Sequence, residues 1–448
     1  MIKRKIDSYL EHFFQQNRKA LLITGARQTG KSFSIRNFGT SHYDSFIEIN
    51  FIDRPEAIGV LSNAKSSQDI FVRLSLLTTS PLIKGKTLIF FDEVQECPSI
   101  VTAIKFLVEE GSYQYIMSGS LLGVELKDLR SEPVGYIDIA EMFPLDIEEF
   151  FCAMGVGNEI IDSLRNAYKR RIKVDEFVHQ KMMELFRLYL IIGGMPAVVQ
   201  KYLDTKNLQE VMAEQQAIHR LYKRDIAKYD NAHKLYLEEI FNLIPSELNA
   251  KNKRFILKNL NEHLKFSRYE NSFIWLKEAG VAIPVYNVEE PVIPLILSRS
   301  RNLFKLFQND IGLLASQYAD GIQLRLINDE KSINFGSIFE NVVAQELHAH
   351  GFDLYYFNSK KQGELDFVIE KDGKVLPIEV KSGKDYQRHN ALTNVLDNSD
   401  YGISEGIVLC NDNVSWEDRI TYLPIYMVAF IEKQTTLPIF YHIDLSGL

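Results

Sequence analysis

The run Gly25-Ala26-Arg27-Gln28-Thr29-Gly30-Lys31-Ser32 restricts this chain more than any other feature. It fits GxxxxGK[ST] without a gap. The apolar residues 21–24 (LLIT) before it read as a strand, and a helix opens near Lys31. A strand, a glycine-bearing turn and a helix N-terminus make a phosphate cradle. Backbone N–H groups turn inward, and the helix adds its positive end. All eight residues are therefore candidate nucleotide contacts. Lys31 is placed to reach β- and γ-phosphates, and Ser32 to hold Mg2+. Such a loop needs a parallel sheet around it. Runs at 46–50, 87–93, 113–120 and 135–142 supply further strands, apolar enough to be buried on both faces.

The strand 88–91 ends in Asp92-Glu93. Asp92, at the carboxyl edge beside the loop, is the expected second Mg2+ contact, and Glu93 the expected general base for the attacking water. Ser118 and Ser120, at the end of the next strand, are candidate sensors of the γ-phosphate. No NKxD-type guanine reader is visible, so ATP is the expected nucleotide.

These motifs resemble the AAA+ ATPase superfamily. More narrowly they resemble bacterial and archaeal AAA ATPases carrying GARQTGKS, IFFDEVQECP, MSGSLLG, FPLDIEEF and GGMP, here residues 25–32, 89–98, 117–123, 143–150 and 193–196. The resemblance implies ATP hydrolysis with Mg2+ and makes an oligomer an option, since such relatives often form rings. Members commonly carry Gly-Arg just before the FPLxxxEF strand, where this chain has Gly135-Tyr136. An arginine finger is thus unassigned. Arg130 lies nearby, and Arg220 and Arg224 read better as a solvated helical face.

The chain has 448 residues, 46% apolar and 25% charged, which excludes a disordered chain and leaves room for about three domains. Lys plus Arg number 51 against 59 Asp plus Glu, a net charge of −8. That argues against a surface coated with basic charge, though not against a local patch. Cys97, Cys152 and Cys410 form no CxxC pair, so a zinc ribbon or disulfide framework is not expected. A cytoplasmic location is the expectation. The most apolar run, Leu188 to Val199, is broken by Gly193, Gly194 and Pro196, so no membrane span is expected.

Helical patterns fill 175–190 and 208–229. The stretch 251–270 carries Lys251, Lys253, Arg254, Lys258, Lys265 and Arg268 against Glu262 and Glu270, a net +4. With the helix-like run after Ser267, a stop at Gly280 and the strand-like VAIPVY, it resembles a winged helix-turn-helix that would contact DNA phosphates. A helical lid with solvated lysines is the plainer alternative.

A second constellation lies between Gly336 and Gly383. A helix carrying Glu340 precedes two strands joined at Asp372-Gly373, a hairpin signal. Glu379 and Lys381 share one strand face, and Asp366 can face them from the neighbouring strand. Hard carboxylate oxygens suit Mg2+, and the lysine suits an attacking water or phosphorane charge. The order Glu340, Asp366, Glu379-x-Lys381 resembles the PD-(D/E)xK, restriction-endonuclease-like superfamily. That resemblance implies Asp366, Glu379 and Lys381 as catalytic residues, with Glu340 on a metal-bound water. A surface ion-pair cluster, or a nuclease fold that binds without cutting, are the alternatives.

The expected architecture is an α/β P-loop domain of AAA+ type over 1–150, a helical lid over 151–232, a winged-helix-like region over 233–303 and an α/β nuclease-like domain over 304–448. The expected function is ATP hydrolysis coupled to DNA binding or processing. The alternative is a signalling or defence ATPase that acts on a protein partner through a non-cleaving C-terminal module. A metabolic kinase is a weaker third.

Overall fold

The structure, a computed structural model, describes residues 2–119, 135–229, 234–250, 253–255, 269–318, 325 and 336–433. The first five expected strands are present: β1 (Ala20–Thr24), β2 (Ser45–Asn50), β3 (Thr87–Asp92), β4 (Gln114–Ser118) and β5 (Ile137–Glu141). They form one sheet in the order β2-β3-β4-β1-β5, parallel throughout. Every residue of β3 is buried because helices cover both faces. Its alternate side chains feed two cores. Ile89 and Phe91 pack with Leu61, Leu74 and Ile104 of helices Pro55–Ser62, Ser67–Leu77 and Pro98–Glu110. Leu88 and Phe90 pack with Leu10, Phe13, Ile35 and Phe38 of helices Lys5–Gln16 and Lys31–His42. The period of two along the strand thus becomes the two-sided burial that a parallel sheet requires.

The remaining strands are β6 (Ala282–Val288), β7 (Arg299–Gln308), β8 (Tyr355–Ser359), β9 (Gly363–Lys371), β10 (Lys374–Val380), β11 (Gly406–Cys410), β12 (Ser415–Glu417) and β13 (Ile420–Pro424). They build a mixed sheet in the order β12-β13-β11-β10-β9-β8-β6-β7. The β9–β10 hairpin turns at Asp372 (φ 52°) and Gly373 (φ 73°), the two left-handed positions that a tight hairpin demands. Helix Asn390–Asp397 covers one face, where Leu392, Val395 and Leu396 meet Val368, Val375, Val408 and Tyr422.

The compact units are not consecutive stretches. One comprises 1–161, 181–284 and 305–345; the other comprises 162–180, 285–304 and 346–448. The first holds the parallel sheet and the long helices Glu176–Ile192 (from residue 181) and Leu208–Tyr229. The second holds the β8–β13 part of the mixed sheet and helix Asn390–Asp397.

The strand expected in the wing belongs to a larger sheet. β6, the VAIPVY strand, pairs in parallel with β8, Tyr286 opposite Tyr355, as an inner strand of the mixed sheet. Its continuous apolar run fits its burial between β8 and β7 inside the sheet. The helix before it, Glu270–Glu278, buries Phe273, Trp275 and Leu276, and it ends at Gly280 (φ 69°) as expected. Most of the basic stretch, including Lys251, Lys258, Lys265, Arg268 and the expected cap Ser267, lies outside the described residues. Among the described residues no single helix is long and apolar enough to cross a membrane.

Candidate nucleotide site and the C-terminal carboxylates

The carboxyl ends of the parallel strands carry the polar residues. Asn50 ends β2, Asp92 ends β3 and Ser118 ends β4, around the loop that leaves β1. This edge of an open parallel sheet is where ligands bind. The loop's shape depends on glycine at two points. Gly25 has φ 124°, and a Cβ there would sit 2.2 Å from the Met142 carbonyl oxygen. Gly30 caps helix Lys31–His42 in the left-handed region (φ 95°). Gln28 is also left-handed (φ 67°), which turns successive backbone groups toward one side.

Lys31 is buried, and its Nζ donates to the carbonyls of Gly25 (2.9 Å) and Ala26 (2.8 Å). Burial lowers its pKa to about 8, against the pull of Glu93 and Asp92 and with the push of Arg27. The Asp92 carboxylate is the hub. Its Oδ2 accepts from Ser32 Oγ (2.9 Å) and Asn50 Nδ2 (3.0 Å). Its Oδ1 accepts from the Glu93 N–H (3.1 Å) and from the Ser118 hydroxyl. Ser32 and Asp92 thus present hard oxygens side by side at the loop, a donor set that fits Mg2+. Glu93 follows in the left-handed region (φ 55°), and its Oε2 accepts from the buried Gln95 Nε2 at 2.5 Å. That bond orients one carboxylate oxygen. Ser120 and Arg130 lie outside the described residues, and Arg220 and Arg224 are exposed on helix Leu208–Tyr229.

A cavity of about 660 Å3 opens over the loop, bounded by Asn50, Asp92 and Glu93 and, further along, by Ile2, Phe33, Pro196, Ala197 and Gln200. Its walls include groups that the motifs did not indicate. Arg4 is buried; it donates to the Thr29 carbonyl (3.0 Å) and the Phe143 carbonyl (2.8 Å), and its Nε lies 3.0 Å from Glu149 Oε1. Arg27 pairs with Asp225 on helix Leu208–Tyr229 at 2.7 Å, and the Tyr222 hydroxyl of that helix donates to the Arg27 carbonyl (3.2 Å). The loop is therefore tied directly to the long helix.

Pro196 is held in place by Gly193-Gly194. A Cβ on Gly194 would sit 2.1 Å from the Leu145 carbonyl oxygen, and one on Gly193 would sit 2.3 Å from Asp310 Oδ1. The fully buried Asp310 accepts from the N–H groups of Gly194 (2.6 Å) and Leu313 (2.9 Å). Burial pushes its pKa up to about 6, and backbone donors, Gly194 first, pull the other way. Asp310→Asn should cost about 1–3 kcal/mol in urea unfolding, because the amide turns one acceptor into a donor facing a buried N–H. The pH sign follows from the raised pKa. The Asp310 contribution is fully present below the ordinary carboxyl value of about 4. It is lost as pH rises through about 6. The stability gap between the two chains should narrow from pH 5 to pH 7.

In the second unit Asp366 and Glu379 come together. The β9–β10 register places Phe367 opposite Ile378, so the next pair inward is Asp366 and Glu379. Asp366 Oδ2 accepts from the Val380 N–H (2.9 Å), Glu379 hydrogen-bonds Asp366, and Lys381 Nζ lies 3.3 Å from Glu379 Oε2. Burial, then the charge of Asp366, push Glu379 well above the usual carboxylate range, with Lys381 pulling down. Glu340 has other company. It is buried in the first unit, in an ion pair with Lys253 and 3.6 Å from the buried Lys305 Nζ. Among the described residues no group of three or more His, Cys, Asp or Glu side chains comes together as a metal cage. The C-terminal carboxylates, Asp366 and Glu379, are a pair sharing a hydrogen bond, with Lys381 beside them.

Residues 17–151 match a family described as an AAA domain. Residues 183–324 and 335–428 match two domains of unknown function, DUF8612 and DUF4143. No curated protein matches the sequence. Among solved structures, the Walker-type ATPase of Pyrococcus abyssi is similar at 15% identity, over 71% of this chain and 96% of that one, with a TM-score of 0.46. The ORC1 protein of Aeropyrum pernix, solved in complex with DNA, is similar at 13% identity over 72% and 92%, with a TM-score of 0.29. A signal transduction ATPase with numerous domains and a tetratricopeptide repeat sensor, from Pyrococcus horikoshii, is similar at 12% identity over 77% and 48%, with a TM-score of 0.26. The parallel sheet, the phosphate loop with Asp92 beside Ser32, and the family match together identify residues 17–151 as an AAA-type P-loop ATPase domain.

Proposed function

We propose that the chain is a Mg2+-dependent ATP hydrolase that uses ATP turnover to switch its helical region, with the C-terminal domain serving as an interaction module. The carrying observation is the contact of Asp92 with Ser32, Asn50 and Ser118, beside Glu93. In this reading the loop N–H groups and Lys31 bind the ATP phosphates. Ser32 and Asp92 hold Mg2+, which neutralises phosphate charge when bound. Gln95 fixes Glu93, which takes the proton of the attacking water. Ser118, through Asp92, links the γ-phosphate side of the site to β4. The Arg27–Asp225 pair gives the loop a route to helix Leu208–Tyr229, since phosphates compete with Asp225 for the guanidinium.

A module that does not cut is favoured by the engagement of Glu340 with Lys253 and Lys305, and by the buried, hydrogen-bonded Asp366–Glu379 pair. A second reading, metal-assisted cleavage of nucleic acid, is favoured by the convergence of Asp366, Glu379 and Lys381. Incubating supercoiled plasmid with the protein, ATP and Mg2+ or Mn2+ separates them. The module reading expects intact plasmid from the wild type and ATP turnover unchanged in Asp366→Ala. Degradation that disappears in Asp366→Ala, with ATP turnover kept, would establish the nuclease instead. ATP turnover measured with and without single- and double-stranded DNA tests whether the partner is nucleic acid.

A further inference from the structure

The second compact unit holds a cavity of its own, about 340 Å3, at the low end of the roughly 300–1,000 Å3 usual for small-ligand sites. Its floor is Leu376, Ile407 and Leu423, from neighbouring strands β10, β11 and β13. The register sets these three on the sheet face opposite Val408 and Tyr422, which pack under helix Asn390–Asp397. The rim is cationic. Lys169 and Arg171 come from the end of helix Asn158–Arg170, and Lys371 and Lys374 from the β9–β10 hairpin.

Two of these cations are answered locally. Arg171 pairs with Glu405 at 2.5 Å, and Lys371 with Asp372 at 2.5 Å. Lys169 and Lys374 have no ion-pair partner among the described residues, so the rim keeps a surplus of two positive charges in a chain of net charge −8. Arg171 also holds a left-handed backbone (φ 54°), at a helix end where glycine is the usual residue. Strain of that kind collects at binding sites. Tyr168 also lines the wall.

We propose that this cavity binds a nucleoside monophosphate group, either as a free nucleotide or as the 5′-phosphorylated end of a nucleic-acid strand, with Lys169 and Lys374 on the phosphate and the apolar floor under the base. The surplus of two charges matches a phosphomonoester dianion. The apolar floor supplies burial for a flat base, which a free phosphate would not use. The inference is independent of the ATP site, and its test silences that site.

The test uses the full chain carrying Lys31→Ala and three probes: methylanthraniloyl-AMP, a 5′-phosphorylated eight-nucleotide DNA, and the same DNA with a 5′-hydroxyl. Saturable binding of the labelled AMP, or of the phosphorylated DNA and not its hydroxyl twin, is expected. Which of the two binds tells free nucleotide from strand end. Adding Lys169→Glu and Lys374→Glu together should weaken the bound probe at least about 10-fold, and each lysine changed singly to alanine should weaken it about 3-fold. Both lysines are exposed, so an unchanged melting temperature verifies the fold. No saturable binding of any probe at about 1 mM would overturn the proposal. So would affinity that is indifferent to both lysines.

Discussion

Lys31→Ala should abolish the ATP-dependent rise in melting temperature and lower ATP turnover at least about 100-fold. The reason is positional. Lys31 is held at the helix N-terminus, and its ammonium bridges the carbonyls of Gly25 and Ala26 on the inside of the loop. An ammonium so buried has paid most of its desolvation before phosphate arrives, so the charge it offers is little screened. Its lowered pKa, about 8, gives the claim a second signature. Phosphates restore the charged form, so ATP binding by the wild type should take up protons near pH 8, seen as a buffer-dependent heat in calorimetry. Lys31→Ala should lose that heat as well. An unchanged thermal shift in the variant would refute the site.

Glu93→Gln should separate binding from chemistry. The residue has the backbone that places it just past Asp92, and Gln95 holds one of its oxygens. A glutamine keeps that size and much of that bonding but cannot take a proton. ATP binding and the thermal shift should persist, while turnover falls about 10^2- to 10^4-fold, the range for loss of a positioned base. Single-turnover measurement with labelled ATP distinguishes this from a binding defect. Equal loss of affinity and turnover would move Glu93 from the chemistry to the architecture.

The sequence made the ATPase half legible because its signals are local. A strand, a loop and a helix within about a dozen residues specify the cradle, and β3 ends on its own two carboxylates. Asn50 was readable in principle, as a polar residue ending an apolar strand, opposite Asp92 in the sheet register. Arg4, Asp225 and Asp310 were not. Each reaches the site from another part of the chain, and a lone charged residue on a helix or loop looks like any solvated one until its partner is placed. The same logic explains the C-terminal half. Register alone sets Asp366 opposite Glu379, whereas order along the chain does not determine which lysines the helix face of Glu340 meets. The VAIPVY strand is less legible, because a short apolar strand reads alike in a hairpin and inside a larger sheet.

The bond from Asp310 to Gly194 spans 116 positions and secures the turn that sets Pro196 against the nucleotide cavity. A fragment cut after the match at residue 151 would keep the phosphate loop and Asp92-Glu93 and lose Pro196, a wall of its own cavity; one cut between residues 196 and 310 would keep that wall and lose the Asp310 that holds its turn. Transplantation is expected to meet the same requirement from the other side. Grafting residues 17–151 onto another protein should carry the phosphate loop without nucleotide affinity unless 1–16, 152–161, 181–284 and 305–345 travel with it. The heritable piece of this enzyme is larger than its signature, and it is interrupted along the chain.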